Sequence, residues 1–242
     1  MTEELFFLIE IIKNATKISE KEFDVQSKGN ENDLVTTLDL EIEKYLITEI
    51  KSEYPDFDIV SEEFNNDNFR TKNCFIIDPI DGTINFANGI PLWGIQVACI
   101  KDGEMVASVI NLPQLKEFYY ADKNGAYCNG KKISVKQVPI KKALYSIDGD
   151  GSTLITHEMS KHARNIRNYG ALCISLVFVA SGRIHGSVFT KNQLWDYMPG
   201  LYLCKMAGAI IKDYDGFHAV AMNEEFMELL EKETVSNKAF NN

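Results

Sequence analysis

The sequence predicts an α+β, or mixed α/β, protein built as two tightly packed halves, and three observations carry that prediction. Helix-period apolar stripes mark residues 5–18 and 37–54, Asp-Gly and Asn-Gly turns punctuate short apolar runs in the middle, and strand-like runs alternate with helical ones after residue 140. With 242 residues the chain can bury a sizeable core as one compact unit.

Taken in order, Leu5, Leu8, Ile12 and Ala15 recur at helical spacing and Ile9 and Ile11 broaden the stripe, predicting a helix over 5–18. "QSKGNENDL" is polar and aperiodic, so a loop. A second helix is predicted from Thr37 to Tyr54, with Leu38, Ile42, Tyr45, Leu46 and Ile50 on one face and Pro55 as its stop. "FDIV" and "CFIID" read as strands, and 82–89 can hold a short helix. Asp102-Gly103, Asn124-Gly125 and Asn129-Gly130 are hairpin signals, so the segment from "WGIQVACI" to "KISV" reads as an antiparallel sheet. Beyond it, "THEMSKHARNI", "ALCISLVFVASG" and "MPGLYLCKMAG" read as helices, separated by the strands "HGSVF" and "AIIKDY". A boundary near 140 divides an N-terminal half (1–140), which carries the antiparallel sheet and the acidic motifs, from a C-terminal half (141–242) that would shape a substrate pocket.

Charge narrows the function. Lys and Arg number 25 against 35 Asp and Glu, for a net charge of −10, and no basic run occurs. Nucleic-acid and anionic-membrane partners need clustered Lys and Arg, so neither is expected. The five cysteines are scattered like reduced thiols, with no disulfide or zinc spacing. The run Leu5–Ile12 is preceded by Glu3 and Glu4, interrupted by Glu10 and followed by no small-residue cleavage site, so it is not read as a signal peptide. The cytoplasm is the expected location.

The chemistry concentrates in Ile76–Phe86, "IIDPIDGTINF". Two aspartates three apart at the end of an apolar strand repel each other unless a cation lies between them. Hard divalent cations such as Mg²⁺ take carboxylate and backbone carbonyl oxygens, which Asp78, the Ile80 carbonyl and Asp81 can supply. Gly82 and Thr83 then open a short helix whose free amides can face an anion. A metal site and a phosphate cradle from one turn suit phosphate ester hydrolysis. Asp-Pro and Asp-Gly alone would mark only turns.

Three further segments supply acids, each with an ordinary alternative. Glu62 and Glu63 in "IVSEEF" could belong to a solvated acidic loop, Asp39 to a helix's first turn, and Asp196 in "QLWDYMPG" to an N-cap.

Together "DLVTTLD", "SEE", "DPIDGTINF", "GAYCNGKKISV" and "LWD" resemble the inositol monophosphatase family, within the lithium-sensitive, Mg²⁺-dependent sugar phosphatase superfamily. The resemblance runs from about Lys28 to Asp196, with weaker similarity in "AGAIIKDYDG", and its motifs are specific for the superfamily but not for inositol. It implies a five-layered α-β-α-β-α sandwich, commonly a homodimer, hydrolysing a small phosphate monoester by direct attack of metal-activated water. Two or three Mg²⁺ ions serve the site, with Mn²⁺ as a substitute and Ca²⁺ and Li⁺ inhibitory. Residue by residue, Glu62, Asp78 and the Ile80 carbonyl match one metal site, Asp78, Asp81 and Asp196 a second, and Glu62 contributes to a weaker third. Thr83, oriented by Asp39, matches the pair that positions the water, so Thr83, Asp39 and Glu62 form the catalytic set. Asp81, Gly82, Thr83, Gly170, Ala171 and Asp196 match the phosphate and substrate contacts. Lys28 falls where the family places a loop lysine near the metals, with a solvated loop lysine as the alternative.

Departures bear on substrate. Ser61 replaces a Gly, Ile84 a common Thr, and Ala171 and Leu172 lack the hydroxyl of the usual substrate loop. Phe189 stands where inositol-type enzymes carry an acid that binds substrate hydroxyls. Pro199 replaces a small helix former and is harmless in a first helical turn. Inositol monophosphate or a related sugar or cyclitol phosphate is the expected substrate. Histidinol phosphate, fructose 1,6-bisphosphate, NADP and 3′-phosphoadenosine 5′-phosphate are alternatives, and a non-catalytic phosphate or metal sensor is the alternative of another class. His157, His162, His185 and His218 show no ligand spacing, Arg164, Arg167, Arg183 and Lys191 read as surface charge, and Trp93 reads as core.

Overall fold

A computed structural model of the chain describes residues 1–27, 34–64, 72–149, 159–190 and 193–235, so the expectation for Lys28 lies outside the described residues. Helix α1 (Glu3–Ile18) starts where the Thr2 hydroxyl accepts the Leu5 amide, and it buries Leu5, Leu8, Ile11, Ile12 and Ala15. The ends of the expected loop pair as short strands, β1 (Val25–Ser27) and β2 (Leu34–Thr36). Helix α2 (Thr37–Glu53) follows directly and stops two residues before Pro55.

Strands β3 (Asp58–Ser61) and β4 (Cys74–Asp81) pair in parallel. After a five-residue helix, α3 (Thr83–Ala87), come β5 (Gly94–Lys101), β6 (Glu104–Leu112), β7 (Glu117–Asp122), β8 (Gly125–Cys128) and β9 (Lys131–Ile133). Each of these pairs antiparallel with its predecessor, β5 with β4, completing a seven-stranded sheet in sequence order. Asp102-Gly103 and Asn129-Gly130 have positive φ at both positions, the geometry that tight hairpin turns need.

A second sheet comprises β10 (Leu144–Asp148), β11 (Asn165–Arg167), β12 (Gly186–Thr190), β13 (Ile210–Asp213) and β14 (Phe217–Ala221), in the order β11-β10-β12-β14-β13. Its β10 runs parallel to both neighbours, whereas β12, β14 and β13 are antiparallel. Of the helix expected over "THEMSKHARNI", residues 156–158 lie outside the described residues and Met159 is helical, but residues 160–164 are turns and bends and Asn165–Arg167 pair with Leu144–Ser146 as β11. A tertiary pairing overrides the local pattern here.

Three helices complete the layers: α4 (Leu172–Ala180), α5 (Leu194–Met206) and α6 (Glu224–Val235). One apolar cluster joins α1 and α2 to one face of the seven-stranded sheet, through Leu8, Ile42, Phe75 and Val97. A second joins α4 and α5 to its other face and to Phe189 and Val220 of the five-stranded sheet. A third joins Tyr145, Ile147 and Val188, on the outer face of that sheet, to Phe226, Met227 and Leu230 of α6. The stacking is therefore helix, sheet, helix, sheet, helix. Among the described residues no helix is long and apolar enough to cross a membrane.

Candidate active site

The "DPIDGT" segment leaves β4 through a bulge. Asp78 faces Gln96 and Asp81 faces Gly94, so the β4 side carries one residue more than β5. The strand thus continues past Asp78 to Asp81, and Pro79 is accommodated where the pairing is broken. Gly82 then adopts φ +92°, and a Cβ placed there would lie 2.8 Å from Ala171 Cβ and 3.1 Å from the Leu92 carbonyl oxygen. Only glycine fits this turn.

Thr83 opens α3 and its hydroxyl lies 3.0 Å from the Ile80 carbonyl oxygen and 3.3 Å from Asp39 Oδ1. One hydroxyl has one proton, so the two acceptors share it. Asp39 is fully buried at the third position of α2, where its Oδ2 accepts the Thr36 amide at 2.9 Å and the Thr36 hydroxyl. It is a helix-capping aspartate, as the ordinary reading holds, and its second oxygen is aimed at Thr83.

Glu62 follows Ser61 at the end of β3 and is half-buried. Its loop is held from α2 by Glu43, a buried carboxylate. Glu43 Oε1 accepts the Ser61 hydroxyl at 2.5 Å and the Phe64 amide at 2.8 Å, and Oε2 accepts the Glu63 amide at 2.9 Å. Ser61, in place of the expected Gly, is thus a fixing point for the loop. Burial raises the Glu43 carboxyl above the usual range, against these bonds.

Asp196 sits at the third position of α5, and its Oδ2 accepts the Gln193 amide at 3.2 Å. Gln193 is the N-cap, so the cap expected at Asp196 lies three residues earlier. Pro199 is the sixth residue of α5 and not in its first turn, which leaves the Trp195 carbonyl without its helical donor. The Gln96 side-chain amide of β5 takes that place at 3.0 Å, and it lies 3.2 Å from Asp196 O and 3.2 Å from Asp78 Oδ2. One amide group therefore joins the Asp78 strand to the Asp196 helix.

Helix α4 approaches from the C-terminal half with its first amides free. Leu172 N donates to Asp81 Oδ1 at 3.3 Å and Cys173 N to Asp81 Oδ2. The preceding loop is tied down by buried Asn85, whose Nδ2 reaches the Leu92 and Tyr169 carbonyls at 2.7 and 2.8 Å. Ala171 thereby rests on Gly82, and Gly170, at φ +70°, is packed against Asn85.

The electrostatics are those of crowded like charges. Burial pushes the Asp78 carboxyl well above its ordinary range, and the charges of Glu62, Asp81 and Asp196 push it further. Burial likewise pushes Asp81 up to about 6 against the Cys173 and Leu172 amides. As they stand, no three His, Cys, Asp or Glu side chains among the described residues close to metal-holding distance. The donor set nevertheless fits a hard cation. Its members are carboxylates, and the buried Asp78 Oδ1 has no hydrogen-bond partner. A buried carboxylate oxygen without a donor is where a cation fits best.

Sequence reasoning missed Glu43 and Gln96. Gln96 was visible as the one amide inside the apolar run "WGIQVACI", whereas nothing local marked Glu43. Trp93 is core, 4.7 Å edge-on from Phe86. Arg183 forms a two-bonded pair with Glu117, His185 Nδ1 accepts the Leu144 amide, and His157 and Lys191 lie outside the described residues. All five cysteines are free thiols.

The inositol monophosphatase family model matches residues 3–239. A Thermotoga maritima fructose-1,6-bisphosphatase/inositol-1-monophosphatase is 32% identical over 208 residues, covering 84% of this chain and 80% of the relative. A histidinol-phosphatase of Chlorobaculum parvum is 29% identical over 237 residues, covering 93% and 91%. Among solved structures, a Thermotoga maritima IMPase superposes with a TM-score of 0.89 at 27% identity, over 98% of this chain and 100% of that one.

Proposed function

The chain belongs to the inositol monophosphatase family, and from that premise we propose that it is a Mg²⁺-dependent phosphatase of small phosphate monoesters, inositol monophosphate or a related sugar or cyclitol phosphate. One observation carries the assignment to this site: buried Asp78, with an unpartnered Oδ1, lies under the charges of Glu62, Asp81 and Asp196, beside a Thr83 hydroxyl aimed at Asp39.

Glu62, Asp78, Asp81, Asp196 and the Ile80 carbonyl would hold Mg²⁺, which when bound supplies charge neutralisation at the phosphate and acidifies water. The chain's own residues do the positioning. Asp39 Oδ1 draws the Thr83 proton, which turns a lone pair of the hydroxyl oxygen outward to receive a proton from the attacking water. The Gly82 and Thr83 amides face the phosphate, and Gly170 and Ala171 line the leaving-group side. Because the relatives include a fructose-1,6-bisphosphatase/inositol-1-monophosphatase and a histidinol-phosphatase, the substrate panel spans both chemistries. The same reading carries the expectation of a homodimer in the cytoplasm.

The test is phosphate release from myo-inositol 1-phosphate, fructose 1,6-bisphosphate and histidinol phosphate, with Mg²⁺ and with chelator. Release should require Mg²⁺ and fall by orders of magnitude in Asp81→Asn with the fold intact. An inert parent chain, or a fully active Asp81→Asn, overturns the assignment.

A further inference from the structure

The acids of the proposed metal site do not include Asp148, the last residue of β10, yet its position ties it to the same pocket. Strand alternation fixes its direction. Ile147 and Val188 belong to the outer core with α6, so their neighbours Asp148 and Phe189 point inward, toward α4 and α5. The two are register partners on the parallel strands β10 and β12. Phe189 is fully buried against Tyr197 and His218 and offers no acceptor. Asp148 is half-buried and offers two.

Helix α4 measures how near Asp148 lies to the reaction centre. Its Leu172 and Cys173 amides hold Asp81, and the Ser175 hydroxyl donates to Asp148 Oδ2 at 2.8 Å. Both carboxylates therefore border one turn of one helix, whose rise is about 5.4 Å. Burial pushes the Asp148 carboxyl up to about 7 against the Ser175 bond, and the charge of Asp81 adds to the rise. Among the described residues Ser175 is the one donor to Asp148, and none of them donates to Oδ1. A carboxylate that is half withdrawn from water beside the proposed catalytic turn, with one oxygen fixed and no described donor to the other, is short of a donor.

We propose that Asp148 is the specificity-determining residue of this site, accepting through Oδ1 a hydroxyl or ammonium donor carried on the alcohol portion of the phosphate ester. Ser175 holds the carboxylate in the receiving orientation, and Phe189 forms the apolar wall beside it. The substrate class that follows is a phosphate monoester with at least one further donor a few bonds from the ester oxygen. Esters of simple phenols or alkyl alcohols lack it. A site built around such a contact loses much of its preference when the contact goes, because the protein partner is left unpaired. The inference rests on the phosphatase reading above, and its test separates the two.

The experiment compares parent, Asp148→Asn and Ser175→Ala on three Mg²⁺-supplemented probes: myo-inositol 1-phosphate (hydroxyl donors), histidinol phosphate (an ammonium donor) and p-nitrophenyl phosphate (neither). Asn keeps the shape and the acceptor for Ser175 but presents an N–H to the substrate donor. Its kcat/KM should fall at least about tenfold on a donor-bearing probe, through KM more than kcat, while p-nitrophenyl phosphate changes by less than about twofold. Ser175→Ala should fall in between on the same probe. The donor-bearing probe that suffers the loss identifies hydroxyl or ammonium. An equal loss on all three probes, or no loss on any, overturns the role of Asp148 and leaves the phosphatase intact. A parent inert on every probe overturns both.

Discussion

Gly82 joins the two halves of the site at a single contact, so Gly82→Ala is a sharp perturbation. Two costs add. A non-glycine residue at φ +92° bears the left-handed penalty of about 1–2 kcal/mol. The new methyl would also stand 2.8 Å from Ala171 Cβ and 3.1 Å from the Leu92 carbonyl oxygen, atoms close to the backbone that cannot swing aside. Relieving an overpacked contact of this kind costs a further 1–3 kcal/mol or so. Against these, alanine stiffens the unfolded chain by about 0.4–1 kcal/mol. The balance is a loss of roughly 2–4 kcal/mol, which for a chain of this size lowers Tm by about 5–15 °C. Activity should fall further than stability, because the Ala171 loop would move outward and carry the Leu172 and Cys173 amides off Asp81. The assays are thermal denaturation and phosphate release below the variant's Tm. A Tm within about 2 °C of the parent with unchanged turnover would refute the packing of Gly82 against Ala171.

Ser61→Ala removes the hydroxyl from buried Glu43 and should cost about 1.5–3 kcal/mol, with weaker Mg²⁺ binding because the Glu62 loop loses a fixing point; calorimetric Mg²⁺ titration checks it, and unchanged affinity counts against a positioning role. Mg²⁺ at a hundred times its Kd should stabilise the chain by about 2.7 kcal/mol over the chelated state, read as a rise in Tm that Asp78→Asn abolishes. The metal-free chain should lose stability as pH rises. The Asp81 and Asp148 carboxyls titrate at about 6 and about 7 in the folded state, above the ordinary aspartate value of 3.8. Their contribution is therefore fully present below the unfolded value and lost as pH climbs through 6 and 7. With chelator, Tm should fall between about pH 4 and pH 7, and Mg²⁺ should flatten that slope; a metal-free Tm that rises over this window contradicts the crowding of these acids.

What could be read from the sequence follows from how local each signal is. "DPIDGT" carries its meaning in six contiguous residues, so the turn was legible, although the strand's extension to Asp81 through a bulge depends on pairing with β5. Asp39, Glu62 and Asp196 are ordinary cap or loop acids by local pattern, and only the resemblance linked them to that turn. The hairpins were legible because Asp102-Gly103 and Asn129-Gly130 impose positive φ. Strands β10 and β14 and helix α6 went unassigned, and the short strands β1 and β2 fell in and beside the segment read as a loop. For α6 a signal existed, since Phe226, Met227 and Leu230 share one buried face. Strand β11 was misread as helix because its three residues, Asn165, Ile166 and Arg167, form an edge through pairing with β10, which no local pattern encodes. Glu43, Gln96 and Asp148 acquire their roles from partners 18 to 100 residues away.

The donors that surround these acids explain how a fold tolerates them. The Gln96 amide, the α4 amides and the Thr36 hydroxyl are neutral dipoles, each worth a modest net amount to a carboxylate. They can orient Asp78, Asp81 and Asp39, but they cannot cancel the mutual repulsion that raises Asp78 so far. Removing that repulsion requires a proton or a cation, and the largest influences on Asp78 are burial, the acids Glu62, Asp81 and Asp196 and the Gln96 amide. Gln96 holds α5 through a carbonyl left over by Pro199, so the spacing of Asp196 from Asp78 is fixed from the peptide backbone and not by the acids themselves. A rigid frame around mutually repelling oxygens is an arrangement in which a divalent cation recovers, on binding, the electrostatic cost that folding alone leaves standing.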